Sequence, residues 1–113
     1  MIARTWRGET TTENAEAYYR HLTGRVIPSL GKIPGHRGAY VLQRQADSRV
    51  EFVVITFWES MQAVREFAGD NPDVAVVEPK ARAVLAEFDD FVRHYTVVHD
   101  SRDETNKSGE PKL

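Results

Sequence analysis

The side chains best suited to chemistry in this 113-residue chain are polar groups set within apolar, strand-like segments. His94 shares one side of the last such segment with Val92, Thr96 and Val98, which places its imidazole in a covered space. An imidazole in that position is a candidate general acid or base near neutral pH. The alternative is a buried histidine that only satisfies a backbone carbonyl or a carboxylate, and the sequence leaves both open.

Arg4 and Tyr40 are the other two candidate catalytic residues. Arg4 alternates in register with Trp6, and a guanidinium on a covered strand must be paired or face a cavity, because an isolated buried charge is very costly. It therefore either pairs with an acidic residue of a partner subunit or faces a ligand. Tyr40 opens a predicted hairpin, where its hydroxyl either donates to a phenolate or carbonyl oxygen or simply lies at a sheet edge.

Two indoles and a second guanidinium are candidate substrate-binding groups. Trp6 lies in the first strand and Trp58 ends a central strand, positions where large rings either close a core or stack on an aromatic ligand. Arg37, in the turn before the second strand, either reaches an anionic ligand or stays solvated. No pair among the four histidines has metal-ligand spacing, so no metal site is expected.

Composition excludes several classes of protein. Fifteen basic and seventeen acidic residues give a net charge of −2, and a pI of about 6.1 offers no electrostatic footprint for nucleic acid. The chain has no cysteine, which removes disulfides, thiolate metal sites and cysteine nucleophiles. No apolar run approaches the roughly 20 residues that cross a bilayer, and the N-terminal MIARTWRG lacks an apolar signal core. We expect a cytoplasmic protein that binds neither membranes nor nucleic acids.

The strands that must position these residues follow from alternation of apolar and polar side chains. Alternation predicts a first strand over 2–9, a hairpin of strands over 40–44 and 50–58, and a last strand over 88–99.

The helices follow from apolar stripes at helical spacing. One stripe predicts a helix over 13–30, kinked near Pro28. A second helix is predicted over 61–68, and a further helical stretch over 74–85 that Pro79 interrupts.

This order of elements is the split βαβ arrangement of ferredoxin-like domains, a βαββαβ α+β sandwich with an antiparallel sheet. The segment 52–58 is apolar on both sides, so both of its faces need cover. Helices can shelter one face, and the uncovered face predicts a homodimer packed through the sheets. We predict one domain over 1–98, followed by a disordered polar tail over 99–113.

Four short segments carry a resemblance to a known family: MIARTWRG at 1–8, PGHRGAYVL at 34–42, FWES at 57–60 with FAG at 67–69, and VRHY at 92–95. In this order and spacing they resemble the antibiotic biosynthesis monooxygenase-like family. The resemblance implies a dimeric α/β barrel with a pocket between sheet and helices in each subunit.

The resemblance also implies an activity. Members of the family include oxygenases that oxidise electron-rich phenols without a cofactor, which implies a cofactor-independent monooxygenase acting on a small aromatic substrate of phenol or anthrone type. The alternative is a non-catalytic small-ligand-binding or stress-associated dimeric α/β-barrel protein. Haem-degrading relatives carry an axial histidine where this chain has Glu78 and Pro79, so haem is disfavoured and no cofactor is expected.

Overall fold

The structure is a computed structural model that describes residues 1–103. Its strands are β1 (Ile2–Thr11), β2 (His36–Ala46), β3 (Arg49–Trp58), β4 (Leu85–Phe88) and β5 (Arg93–Thr96). Its helical elements are α1 (Ala15–His21), a π-helical turn (Leu22–Val26), α2 (Ile27–Leu30), α3 (Met61–Ala68), α4 (Pro79–Val84) and a 3-10 turn (Ser101–Asp103).

The strands form one antiparallel sheet. β2 pairs with β3, β3 pairs with β1, and the other edge of β1 pairs with both β4 and β5. Helices cover one face of this sheet, which confirms the predicted ferredoxin-like α+β fold.

The last strand differs from the single strand predicted over 88–99. It is split into β4 and β5, because the chain between them hydrogen-bonds to a neighbouring segment and not to β1 alone. The amide of Ala75 donates to the carbonyl of Asp90, and the amide of Val92 donates to the carbonyl of Asp73, both at 2.8 Å.

That neighbouring segment corrects the helical stretch predicted over 74–85. Residues 71–78, which we call the strap, are mostly irregular, and Val74 forms a single bridge with Phe91. The helix α4 begins only at Pro79, whose fixed φ and missing amide suit the first helical position. The strap instead places its backbone groups against the break between β4 and β5.

The first helix has about the predicted length, but the predicted kink near Pro28 is preceded by a π-helical turn. Between α1 and α2 the backbone widens into the π-helical turn Leu22–Val26, just before Pro28. Proline supplies no amide to the helical ladder, and a widened turn is one way in which a helix accommodates such a break.

The covered face of the sheet holds two separate apolar clusters. The first is built on Tyr18, Leu22, Val50, Phe52, Val54 and Ala81. The second is built on Leu30, Trp58, Ala63 and Val64. On β1, Trp6 packs against the first cluster and Ile2 against the second, so the residue between them, Arg4, lies where the clusters do not meet.

The second face of the sheet carries apolar side chains over which the structure of residues 1–103 places no α-helix; the 3-10 turn Ser101–Asp103 reaches it at Tyr40. Val53, Ile55 and Phe57 of β3 are partly exposed there, and Tyr40 and Leu42 of β2 are 47% and 48% exposed. The burial of one face of β3 is as predicted. Cover of the other face by a second copy stays a prediction.

Two further expectations concern the whole chain. No helix within residues 1–103 is long and apolar enough to span a membrane. Of the predicted tail over 99–113, the part over 104–113 lies outside the described residues. Its described beginning contains the 3-10 turn, where Arg102 donates to the hydroxyl of Tyr40 at 2.9 Å.

Candidate functional site

A cavity of about 180 Å³ lies in the gap between the two apolar clusters. Its lining is mostly apolar, with contributions from the sheet, the π-helical turn, α2, α3, the strap and α4. Its deepest residues include Arg4 and Thr56, which are 5% and 7% exposed, whereas Ser29 and Val76 are exposed at its mouth. Such a site combines a mostly apolar interior with a few polar groups.

Arg4 and Thr56 of the cavity lining belong to a polar row that crosses three strands and ends at His94, which does not itself line the cavity. In the strand register Thr56 of β3 lies opposite Arg4 of β1, and Arg4 lies opposite His94 of β5. The rows on either side are apolar, since Val54 pairs with Trp6 and Trp58 pairs with Ile2. The gap between the clusters is therefore the place where this polar row interrupts the core.

Arg4 is held by three acceptors. Nη1 donates to the carbonyl of Pro72 and lies 2.9 Å from Nε2 of His94, and Nη2 donates to the carbonyl of Val74 at 3.1 Å. Among the described residues the Nε proton and one Nη2 proton have no protein partner, and Arg4 lines the cavity. Burial lowers the pKa of Arg4 to about 10, although the negative charge of Asp73 acts to raise it. The guanidinium is therefore still protonated at neutral pH.

The contact with Arg4 fixes the protonation state of His94. A guanidinium has only donors, so Nε2 of His94 must accept, which leaves its proton on Nδ1, 3.3 Å from Oδ1 of Asp73. Burial, and then the charge of Arg4, lower the pKa of His94, while Asp73 acts in the opposite direction. The imidazole is therefore neutral at pH 7 and orients Arg4.

Trp6 and Trp58, the two predicted substrate-binding indoles, take different places. Trp6 lines the cavity and donates to the carbonyl of Asp89 at 2.9 Å. Its ring lies so close to Gly8 that a Cβ there would collide with it. Trp58 is fully buried beside the cavity and donates to Oγ1 of Thr56 at 2.9 Å, so it positions a lining residue.

Comparison with known proteins bears on this site. The antibiotic biosynthesis monooxygenase family matches residues 1–72 of the chain. The chain belongs to this family. The matched part includes Arg4 and Trp6 but ends within the strap, before His94. A comparison with proteins of curated function found no match.

Solved structures share the fold of this family member at low sequence identity. An antibiotic biosynthesis monooxygenase is 17% identical, with 88% of this chain and 100% of the other aligned at a TM-score of 0.64. A protein from Pseudomonas aeruginosa is 16% identical over 87% and 94% of the two chains, with a TM-score of 0.58. A haem degrader from Mycobacterium tuberculosis, solved with two haems in its active site, is 18% identical over 88% and 98%, with a TM-score of 0.56.

A haem does not fit the cavity of this family member. Its volume of about 180 Å³ is close to that of the roughly 150 Å³ cavity known to hold one benzene ring, whereas a tetrapyrrole is several times larger. Glu78, for which the resemblance implied the position of a haem ligand, is paired with Arg25 at 3.1 Å. Within residues 1–103 no cluster of three or more histidine, cysteine or carboxylate side chains is placed to hold a metal ion.

Tyr40 and Arg37 lie away from the cavity. Tyr40 projects from the second face of the sheet, where its ring packs edge-on against Phe57 with 5.9 Å between centroids. Arg37 is exposed and pairs with Glu59 at 2.5 Å. Of the three predicted catalytic residues, the structure thus brings together Arg4 and His94 and leaves Tyr40 apart.

Sequence reasoning missed Tyr18 as a site residue. It belongs to the apolar stripe of the first helix, is 2% exposed and lines the cavity. The available signal was its hydroxyl, because a buried tyrosine normally finds a hydrogen-bond partner and none was apparent in the stripe. Thr56 was missed in the same way, as the one hydroxyl on the buried face of β3.

Proposed function

We propose that this protein is a cofactor-independent monooxygenase that oxidises a small phenol-type substrate with dioxygen inside the cavity. The observation that carries the proposal is the buried guanidinium of Arg4, which lines a mostly apolar cavity and, among the described residues, has two donors left over. A cation with unused donors in a dry, aromatic-lined space suits an organic anion, because hydrogen bonds to charged groups are strong there.

The chemistry follows from binding the substrate as its anion. The phenol gives its proton to water, and the phenolate oxygen is bound by Arg4. A ring carbon of the electron-rich phenolate transfers electrons to dioxygen and forms a C–O bond with it. The O–O bond then breaks as the same carbon loses its hydrogen, which leaves a quinone carbonyl and one molecule of water. One oxygen atom enters the product and the substrate supplies all four electrons.

In this scheme His94 is a positioning residue. Its Nε2 lone pair is engaged by Arg4, so it is not available to take a proton from a ligand in the cavity. It holds the guanidinium in one orientation, and the Asp73 carboxylate in turn faces Nδ1. Trp6 and Phe67 provide aromatic walls, with the Arg4 guanidinium carbon 5.6 Å from the centre of the Phe67 ring.

The test is oxygen uptake by the pure protein with a panel of electron-rich phenols of one to three rings. We expect uptake, and one labelled atom per product molecule under ¹⁸O₂. Arg4→Gln should lower kcat/KM by about 10- to 100-fold, the size expected for losing a hydrogen bond to a charged group. Arg20→Gln is the matched control, since the Arg20 side chain is 76% exposed on α1 and its one ion pair within residues 1–103 is with Glu16. No uptake above the protein-free rate with any phenol would overturn the proposal.

One observation favours a second candidate, a non-catalytic protein that holds a small aromatic ligand in the same cavity. Tyr40, which was expected to join Arg4 and His94, lies on the other face of the sheet. Phenol binding that depends on Arg4, without any oxygen uptake, would select this function.

A further inference from the structure

Tyr18 presents an unpaired hydroxyl to the cavity. Its side chain is 2% exposed, and no hydrogen-bond partner exists for its hydroxyl among the described residues. Within residues 1–103 the one fully enclosed side-chain polar atom without a partner is Nε2 of His36. The Tyr18 hydroxyl therefore still borders open space, and the space that Tyr18 lines is the cavity.

The surroundings of Tyr18 keep its hydroxyl uncharged, so that it can donate a hydrogen bond. Its ring packs edge-on against Phe52 at 5.1 Å and lies 6.3 Å from Trp6, measured between centroids. Burial among these rings raises the pKa of Tyr18, so the phenol group stays protonated. A ligand atom beside the Tyr18 hydroxyl gains a hydrogen bond only if it is an acceptor. That acceptor should be neutral, because a second charged group on the ligand would lose its hydration without gaining a counterion.

The size of the cavity limits what can reach both Arg4 and Tyr18. About 180 Å³ exceeds only slightly the roughly 150 Å³ that holds one benzene ring. One aromatic ring with small substituents fills such a space, whereas two or three fused rings do not fit without movement of the strap or the helices.

We propose that Tyr18 is a specificity-determining residue and that the cavity takes a single-ring phenol carrying a second, neutral oxygen acceptor. The phenolate oxygen binds Arg4 on the sheet side, and the second oxygen, such as that of a methoxy group, accepts a hydrogen bond from the Tyr18 hydroxyl on the helix side. This inference rests on the proposed function only for the phenolate end, and it requires that the phenol binds but not that it is turned over.

The chain offers a matched pair of variants for the test. Tyr18→Phe removes one hydroxyl and leaves the ring contacts with Phe52 and Trp6. Tyr19→Phe makes the same change on the neighbouring residue, which is 49% exposed on α1 and does not line the cavity. The ligands form a second matched pair, because each methoxyphenol isomer has an ethylphenol of almost the same shape that lacks the acceptor.

Binding is measured by titration calorimetry, together with the unfolding temperature of each ligand-free variant. We expect one methoxyphenol isomer to bind wild type about 3- to 10-fold more tightly than its ethylphenol partner, the effect of one ordinary hydrogen bond. Tyr18→Phe should reduce this ratio to about one, with an unfolding temperature equal to or above that of wild type, because an unpaired hydroxyl has been removed. Tyr19→Phe should leave the ratio unchanged.

Three results would overturn the inference. The first is a methoxyphenol preference that persists in Tyr18→Phe. The second is a lowered unfolding temperature of ligand-free Tyr18→Phe, which would mean that the hydroxyl serves the fold. The third is binding of two-ring or three-ring phenols without binding of any single-ring phenol. Discrimination by Tyr18 in a protein that consumes no oxygen would reject the proposed function and leave this inference standing.

Discussion

Among single residues, the two histidines with lowered pKa values make the fold sensitive to acid. His94 is half-buried beside the Arg4 charge, and His36 is half-buried with an enclosed Nε2 that has no partner among the described residues. Both pKa values lie below the ordinary 6.5, so the unfolded chain binds these protons more readily than the folded chain does. Their neutral forms stabilise the fold fully above about pH 6.5, and this stabilisation is lost as the pH falls through the folded-state values.

This predicts that the free energy of unfolding in urea is lower at pH 5.5 than at pH 7.5. His94→Gln keeps an acceptor for Arg4 but removes one titrating group, so the difference between the two pH values should shrink. An equal difference in wild type and His94→Gln would show that His94 has the same pKa in the folded and the unfolded chain, and would contradict this prediction.

The sequence singles out Arg4, Trp6 and His94 as candidate site residues because polar or amphipathic groups interrupt otherwise apolar strands. Their mutual placement could not be predicted, because the polar row depends on which strands pair and in what register. Tyr18 was hidden for the opposite reason. In the apolar stripe of a helix a tyrosine is read as a core residue. Only the position of the cavity shows that the Tyr18 hydroxyl could contact a ligand.

Among the elements, the strap is the segment whose backbone carbonyls hold the side chain of Arg4. Arg4 binds the carbonyls of Pro72 and Val74, and the amides of Ala75 and Val92 take part in the bonds between the strap and the β4–β5 break. Arg4→Gln should therefore speed hydrogen exchange at the amides of Ala75 and Val92 by about 10-fold or more, since a charged donor to two carbonyls is lost. Exchange in β3, measured in the same experiment, should stay unchanged. Equal rates at Ala75 and Val92 in both proteins would show that Arg4 does not hold the strap.

The strap is also the part of the fold that periodicity could not predict. The β3 strand and α3 follow directly from their apolar patterns, and Pro79 correctly marks a helix start. The segment Val74–Val77 is equally apolar, but its structure is set by backbone hydrogen bonds to Asp90 and Val92, which leave no repeat in the sequence.

At the scale of the whole molecule, the feature with the largest consequence is the second face of the sheet, where Tyr40 and Leu42 are about half exposed. We propose that a second copy covers it, and sedimentation at micromolar concentration should give twice the chain mass of 12.9 kDa. Leu42→Glu, on that face, should shift the molecule to a monomer, because a carboxylate would be buried between the sheets. Tyr19→Glu is the control, as Tyr19 is equally exposed, at 49% against 48%, on the helical side. A dimer that survives Leu42→Glu unchanged would place the interface elsewhere.

The gap between the two apolar clusters has a thermodynamic consequence as well. Side chains around an empty space lack dispersion partners on one side, so the domain folds with less cohesion than a filled interior would provide. A bound guest supplies those missing neighbours and, by mass action, favours the folded chain over the unfolded one. The same hollow that receives the ligand therefore makes the folded population depend on how much of that ligand is present.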